Sequence, residues 1–473
     1  MLISMPSPRQ LLTVVSAALA SLLILSLIIP SSRDTVRDIV REKLPNVPGV
    51  NNKPSEKQEQ RPKYKPTPTY TPPPVKENFP LLATSTPPPI PKWNVPPPDL
   101  HKEYDLPVAP PLLIGFTRTW PLLQQAVVSY ITAGWPPSQI YVVENTGVQQ
   151  SNVRGKLSLQ NPFYLNHAAL KKLGVNVVTT PTLLSFAQMQ NFFLSLTYTH
   201  KWPYYFWSHM DVVAYAFEDG KPGLSGKYNE KTYKSLYELA LVALKDAREN
   251  DDRWGIRFFA YDHLALVNPE AFEDVGGWDT HIPYYMTDCD MHSKLIMRNW
   301  SQENAKAGII TDVASALADL SVLYRLEGGP EPSFVDPNPP PPKKEDKEGG
   351  KQKSRIKRVC YGEEGTGPLP ADSERRKREE DPNWRKWRNL VITADKQYQH
   401  KHGDRERNTW QLGQQGGKGE PFYYPAAGLA EAIELVTETG REVFRRKWGH
   451  RGCDLVSGAH LSYDDAWMVE KDW

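Results

Sequence analysis

The sequence predicts a doubly wound α/β domain, with helices on both faces of one sheet, and two observations predict it. From residue 111 onward short apolar runs alternate with stretches of helical periodicity, and the runs end in polar or acidic residues such as Glu144 and Asp211. Alternation with crossover-length spacings implies parallel strands joined by right-handed connections. In such sheets ligands bind outside the carboxyl ends of the strands, where both acids fall.

The elements follow in order. Residues 111–117 read as a buried strand, and residues 120–133 carry apolar side chains at helical spacing until Gly134 and Pro136-Pro137 stop them. A second strand spans 139–143 and ends in Glu144-Asn145-Thr146-Gly147. A helix at 166–173, a strand at 175–179, a helix at 184–200 and a strand at 204–208 ending in His209-Met210-Asp211 complete the first half. A long helix at 230–250 and strands at 254–259 and 265–267 precede the turn Gly276-Gly277-Trp278-Asp279. Residues 282–300 read as a loop running into a helix, which sets Asp288 and His292 four apart on one face and Asp290 and Lys294 four apart on another. Beyond the sheet, residues 384–399 and 426–448 read as helices.

Flanking segments bound the organisation. Residues 11–30 are uncharged and rich in Leu, Ile, Ala and Val, and twenty residues at helical rise match the ~30 Å hydrocarbon core of a bilayer. They are expected to form an uncleaved membrane anchor behind a tail of residues 1–10. Residues 31–110 are dense in Pro, Thr, Lys and Glu, with proline triplets that disfavour helix and central strand, so an extended disordered stem is expected. The folded domain is then 111–325, a charged and Pro-rich insertion 326–381 is expected to be disordered, and 382–473 forms a helical segment and tail. Only Arg9 precedes the apolar run, whereas Arg33, Arg37, Arg41 and Lys43 follow it. The positive-inside rule would therefore leave the C-terminus cytosolic, against the lumenal placement suggested by the sequon Asn299-Trp300-Ser301.

Composition excludes some classes. The net charge of +2 gives no support to a nucleic-acid partner. No glycine-rich phosphate loop follows the first strand, which argues against nicotinamide cofactors and ATP hydrolysis. Cys289, Cys360 and Cys453 make neither a disulfide framework nor a zinc spacing; a bridge between Cys360 and Cys453 is open, as is a free thiol at Cys289.

Four local patterns in order carry a resemblance. Val142-Val143-Glu144-Asn145, the segment 185–191, the strand 205–208 with His209-Met210-Asp211, and Gly276-Gly277-Trp278-Asp279 followed by Thr287-Asp288-Cys289-Asp290 resemble the family 2 glycosyltransferases and relatives with the GT-A nucleotide-sugar fold. The resemblance covers about 210 residues and implies a mixed sheet in a single-pass type II membrane protein of the Golgi or endoplasmic reticulum. It implies a donor site at Thr117, Arg118, Glu144, Asn145, Gln188, Asn191, His209 and Asp211, with a UDP-sugar the commoner donor, and an acceptor site for a glycan or glycoconjugate at Gly277, Trp278 and Asp279.

The chemistry explains such parts. Breaking an anomeric C–O bond leaves a diphosphate whose growing charge must be stabilised, which Mg²⁺ or Mn²⁺ held by few carboxylates does well. Asp211 is the expected metal ligand, with His292 and His460 as further candidates and a turn-capping Asp211 as the alternative. His209 stands where the family has the first acid of Asp-x-Asp, so a second carboxylate is missing there. An acceptor hydroxyl needs a base as it attacks, and Asp288 matches the family's base, with Asp290 beside it. Both acids equally suit the positive end of a helix dipole, and Trp278 equally suits a core. A catalytically silent glycan-binding relative and a nucleotidyltransferase on the same fold are the competing readings.

Overall fold

A computed structural model describes residues 62–66, 73–335, 381–403, 414 and 416–473. The chain divides into two units, Met1–Tyr70 and Thr71–Trp473. Residues 62–66 are exposed and without regular structure. The expected anchor, the basic residues after it, Cys360 and most of the charged insertion lie outside the described residues. Among the described residues no helix is long and apolar enough to cross a membrane.

Among the described residues nine strands form two sheets. The strands are β1 (Leu112–Phe116), β2 (Ile140–Glu144), β3 (Asn176–Thr179), β4 (Tyr205–Ser208), β5 (Val212–Tyr215), β6 (Trp254–Phe259), β7 (Leu264–Val267), β8 (Ser301–Ala305) and β9 (Ile309–Asp312). Seven of them make one mixed sheet in the order β3-β2-β1-β4-β7-β6-β8, and β5 pairs with β9. The helices used below are α1 (Trp120–Thr132), α2 (His167–Leu173), α3 (Phe186–His200), α4 (Leu236–Asn250), α5 (Pro269–Asp274), α6 (Thr287–Met297), α7 (Pro382–Lys401) and α8 (Ala426–Trp448). A seven-stranded mixed sheet with helices agrees with the GT-A-like architecture that the resemblance implied.

β1 to β4 are parallel, as the alternation required. β7 runs antiparallel to both β4 and β6, which makes the sheet mixed, as the resemblance implied, beyond its parallel first half. The cause is the short link between β6 and β7, residues 260–263, which is a hairpin and leaves no length for a crossover helix. Strand order reverses around β1, whose neighbours are β2 and β4, so the topological switch lies between β1 and β4.

Two departures from the sequence reading shape the site. The Pro-rich segment is packed from residue 73 rather than extended to 110. Phe79, Leu82, Leu100 and Leu106 are buried in the main core, and Asn94, 1% exposed, donates to the Thr132 carbonyl at 2.8 Å and to Glu218 at 3.0 Å. Proline forbids ladders and helix interiors but not burial, and the leucines and aromatics between the prolines find grooves on the domain. β5, β8 and β9 were also not anticipated. β8 reads Ser-Gln-Glu-Asn-Ala, with no apolar alternation, because it pairs at the sheet edge beside β6 alone.

The helices bury the sheet from two sides. β1, β2, β4, α1 and α4 supply the larger core around Trp120, Tyr130, Trp135 and Phe206, while α3, α5 and α6 cover the other side with Phe193, Phe272, Met291 and Leu295. α1, α3 and α6 fall where the periodicity placed them, whereas α4 starts at Leu236 rather than at residue 230 and the short α5 was not anticipated. α3 starts at a capping box of Ser185 and Gln188, and α4 at Ser185's counterpart Ser235, whose hydroxyl accepts from the Glu238 N–H at 3.2 Å.

Candidate functional site

The carboxyl end of β4 is fixed by the β6–β7 hairpin. The Ser208 hydroxyl donates to the His263 carbonyl at 2.9 Å, and the His209 N–H donates to the same oxygen at 3.2 Å. The His209 ring then stands between two acids, with Nε2 3.5 Å from Asp262 and Nδ1 3.8 Å from Asp211. Burial opposes its imidazolium, but Asp262 and Asp211 outweigh burial and hold its pKa above the ordinary value.

Asp211 is joined by an acid from the far end of the domain. β5 and β9 pair so that Val212 faces Asp312, and the Val313 N–H donates to the Asp211 carbonyl at 2.7 Å. Between the two carboxylates sits Lys401, the last residue of α7, with Nζ 2.7 Å from Asp211 Oδ2 and 3.0 Å from Asp312 Oδ2. His402 Nε2 lies 3.0 and 3.1 Å from the two Asp312 oxygens, and His263 Nε2 3.8 Å from one of them. Burial raises the pKa of both acids, yet Lys401 above all pulls each below the ordinary carboxylate value. The acids in turn outweigh burial at Lys401 and raise it.

These shifts fix a pH dependence. Asp211 and Asp312 stabilise the fold fully above the ordinary carboxylate pKa of about 4, and that stabilisation is lost as pH falls through their lowered folded values. Lys401 contributes fully below about 10.4 and loses its contribution as pH rises through its raised value. His209, raised, and His263, lowered by burial, act in opposite directions below about 6.5. Urea midpoints are expected to be level from about pH 7 to 9 and to fall steeply below about pH 4. A midpoint that rises between pH 5 and 3 would contradict this arrangement.

The expected metal set does not fit as it stands. Among the described residues no group of three or more His, Cys, Asp or Glu is placed to hold a metal ion. Asp211 is committed to an ammonium, His292 packs edge-on to Phe258 and Trp278, and His460 is an exposed tail residue at φ 56°.

The residues expected to bind the nucleoside are largely committed to the protein itself. Glu144 is 1% exposed and accepts from Asn152 at 2.7 Å and Thr179 at 3.2 Å, with His167 Nε2 at 2.9 Å. Asn145 clamps Leu184 through both its N–H and its carbonyl, at 2.7 and 2.8 Å, and holds Thr117 at 3.4 Å. Gln188 closes the capping box of α3, and Asn191 grips the backbone of Trp278 from both sides at 2.9 Å. Arg118, just past β1, is buried, and burial brings its guanidinium down to about 10.

The head of α6 separates the two candidate bases. Asp290 is fully buried, accepting from Trp448 Nε1 at 2.9 Å and paired with Lys447 at 2.8 Å and Lys294 at 3.3 Å. Asp279 is likewise engaged, 2.8 Å from Lys447. Gly277 sits at φ 70°, and its carbonyl accepts from Lys294 at 2.8 Å. Trp278 is 4% exposed, stacked near Phe272 and edge-on to Phe186, so it is a core side chain rather than a sugar platform. Asp288, two residues before Asp290, is half-buried and accepts no hydrogen bond from another described residue. His292 couples electrostatically to both Asp288 and Asp262, which links the head of α6 to the group at the end of β4.

A disulfide ties the same region to the C-terminal tail. Cys289 bonds Cys453, with Cα atoms 5.0 Å apart, which corrects the expectation of a Cys360–Cys453 bridge or a free Cys289. It holds α6 to the segment just past α8, whose Phe444 and Trp448 cluster with Ile282 and Leu455. Asn299 is exposed at φ 61°, at the turn between α6 and β8. Sequence reasoning missed Asp262, His263, Asp312, Lys401 and His402. Only the Asp-His and Lys-His pairs at element ends hinted at them.

No family model and no curated protein sequence matches the chain. Among solved structures it is similar to the mannosyltransferase PcManGT from Pyrobaculum calidifontis in complex with GDP-Man and Mn²⁺, at a TM-score of 0.28 and 12% identity over 44% of this chain and 61% of that one. A cytidylyltransferase from Leptospira borgpetersenii serovar Hardjo-bovis is similar at a TM-score of 0.26 and 9% identity, over 42% of this chain and 76% of that one. Likenesses this low carry no argument about activity.

Proposed function

We propose that the chain is a nucleotide-sugar-dependent glycosyltransferase acting on a hydroxyl of a glycan or glycoconjugate, with a UDP-sugar as the favoured donor. The observation that carries the reading is Asp288: it is the expected acid whose carboxylate is not consumed by the fold, and it is coupled through His292 and Asp262 to the charged group at the carboxyl end of β4. That end lies at the topological switch beside β1, the position at which open α/β sheets bind ligands.

In this reaction Asp288 takes the acceptor proton as the acceptor oxygen attacks the anomeric carbon. The new C–O bond forms opposite the bond to the diphosphate, which breaks and leaves with its electron pair, so the configuration inverts. His209, whose protonated form Asp262 and Asp211 favour, faces the leaving diphosphate, and Arg118 lies just past the neighbouring strand end. Asp290, Asp279, Trp278 and Asn191 shape the acceptor side by holding α6, α8 and the Gly277 turn in place. Asp211 is already paired with Lys401, so no step of this reading is routed through Mn²⁺ or Mg²⁺. The disulfide suits an oxidising compartment, in keeping with a type II anchor in the Golgi or endoplasmic reticulum and a glycan on Asn299.

The test is transfer and donor hydrolysis by the purified full-length chain in detergent, with a panel of uridine and guanosine diphosphate sugars. Turnover of at least one donor is expected. Absence of both binding and turnover for every donor sinks the reading in favour of a silent glycan-binding relative, which the commitment of Asp211 to Lys401 favours.

A further inference from the structure

We propose that the Lys401 ammonium is the resident cation of the Asp211–Asp312 pair and keeps divalent metal out of it, so that transfer at this site proceeds without a metal ion. The inference rests on the glycosyltransferase reading for its catalytic consequence, but its structural part stands on the lysine alone.

Three observations carry it. Lys401 is one of few fully enclosed lysines here, its side chain 3% exposed, with one oxygen of each acid at 2.7 and 3.0 Å. That is the arrangement in which a single small cation bridges two carboxylates. The acids are themselves enclosed, and Asp312 is occupied on both oxygens by His402. An incoming dication would therefore have to displace a paired ammonium rather than water, or lie against it, and two like charges in one enclosed site repel strongly.

The lysine is also placed by the fold and not by chance of a flexible stem. α7 is anchored along its length: Trp387 Nε1 donates to the Ala216 carbonyl at 3.1 Å, Leu390 and Ala394 enter the main core, and Gln397 Nε2 donates to the Ser315 carbonyl at 2.7 Å. Lys401 follows at the C-terminal end of that helix, where the dipole favours a cation. Ala216 follows β5, which starts right after Asp211, and Ser315 follows β9, which ends in Asp312, so the same helix fixes both the pair and its counter-ion.

The consequence for the reaction is a division of labour. Asp211 holds a lysine and does not face the diphosphate through a metal. The charge meeting the leaving group comes from side chains such as His209, whose ring is one-third exposed beside Asp211.

The experiment follows Mn²⁺ binding to the full-length chain by electron paramagnetic resonance and by thermal unfolding, for the wild type, Asp211→Asn, Lys401→Met and Lys401→Met with Asp211→Asn. The wild type is expected to show no saturable Mn²⁺ site and the same Tm in Mn²⁺ as in EDTA. Lys401→Met leaves two enclosed carboxylates without their bridging ammonium and is expected to gain one Mn²⁺ site, raising Tm by about 5–10 °C at ~100 times its Kd. Asp211→Asn in that background abolishes the gain. Saturable Mn²⁺ binding by the wild type that Asp211→Asn removes overturns the proposal, as does a folded Lys401→Met with no gain. Should Lys401→Met not fold, the wild-type arm decides alone. Turnover of any active donor is measured in EDTA in parallel: undiminished turnover supports the proposal, and loss restored by Mn²⁺ overturns it. Absence of turnover under every condition tells against the glycosyltransferase reading and leaves the Mn²⁺ binding result standing.

Discussion

Asp288→Asn is expected to lower turnover of the preferred donor by about 10²- to 10⁴-fold, the range that removal of a positioned general base produces. The substitution keeps the shape of the side chain and removes its ability to take a proton. Donor affinity, measured by calorimetry with the nucleoside diphosphate, is expected to stay within threefold, because Asp288 acts on the acceptor. The loss therefore falls on kcat and on kcat/KM together, the signature of an interaction made only in the transition state. Stability changes little, since the carboxylate accepts no hydrogen bond from a described residue and gives up its interaction with the helix terminus, about 0.3–1 kcal/mol, together with its electrostatic pull on His292. Turnover within threefold of the wild type would remove Asp288 from the mechanism.

The contrast between Asp288 and Asp290 shows what the sequence could and could not disclose. Both acids sit in the first turn of α6, both suit its dipole, and both fit a base position by pattern. What separates them is Trp448, which lies 158 positions later and covers Asp290 but not Asp288. Local periodicity carries no record of such a partner. The same distance hides Lys401, 190 positions from Asp211 and beyond a Pro-rich and charged insertion, where a lysine at a helix end reads as ordinary dipole chemistry. Cys289 and Cys453, separated by 164 positions, are hidden for the same reason. By contrast β1, β2, β3, β4, β6 and β7 were legible within one or two residues: all but β3 are largely buried apolar runs, and β3, half-exposed at the sheet edge, still carries Val177-Val178 just after the Gly174 that stops α2. β8 was not, because an edge strand needs no apolar face. The packing of residues 73–110 was missed because proline content reports on hydrogen bonding and is silent about which leucines between the prolines find a groove.

Asp290→Asn is expected to cost about 3–5 kcal/mol of stability, the range for removing one partner of a buried ion pair. The Asp290 side chain is wholly enclosed, and it faces two ammonium groups, Lys447 at 2.8 Å and Lys294 at 3.3 Å. Asparagine retains an acceptor for the Trp448 indole N–H but supplies no charge, so two buried lysines are left to share Asp279, which already binds Lys447 at 2.8 Å. Lys294 is the more vulnerable of the two. Burial lowers its pKa even with Asp290 present, so without that acid it is expected to shed its proton and lose its grip on the Gly277 carbonyl. At about 2–4 °C per kcal/mol the change corresponds to a fall in Tm of roughly 6–20 °C. The Cys289–Cys453 bond keeps α6 tethered to the tail in the variant, so the loss reads as weaker packing of α8 rather than release of the chain. Urea denaturation at pH 7 measures it, with Asp279→Asn as the comparison, since the Asp279 side chain is more exposed, at 17%, and its loss is expected to be smaller. An Asp290→Asn variant within 1 kcal/mol of the wild type would mean that the lysines carry no charge in the native fold, and would return Asp290 to the list of candidate bases.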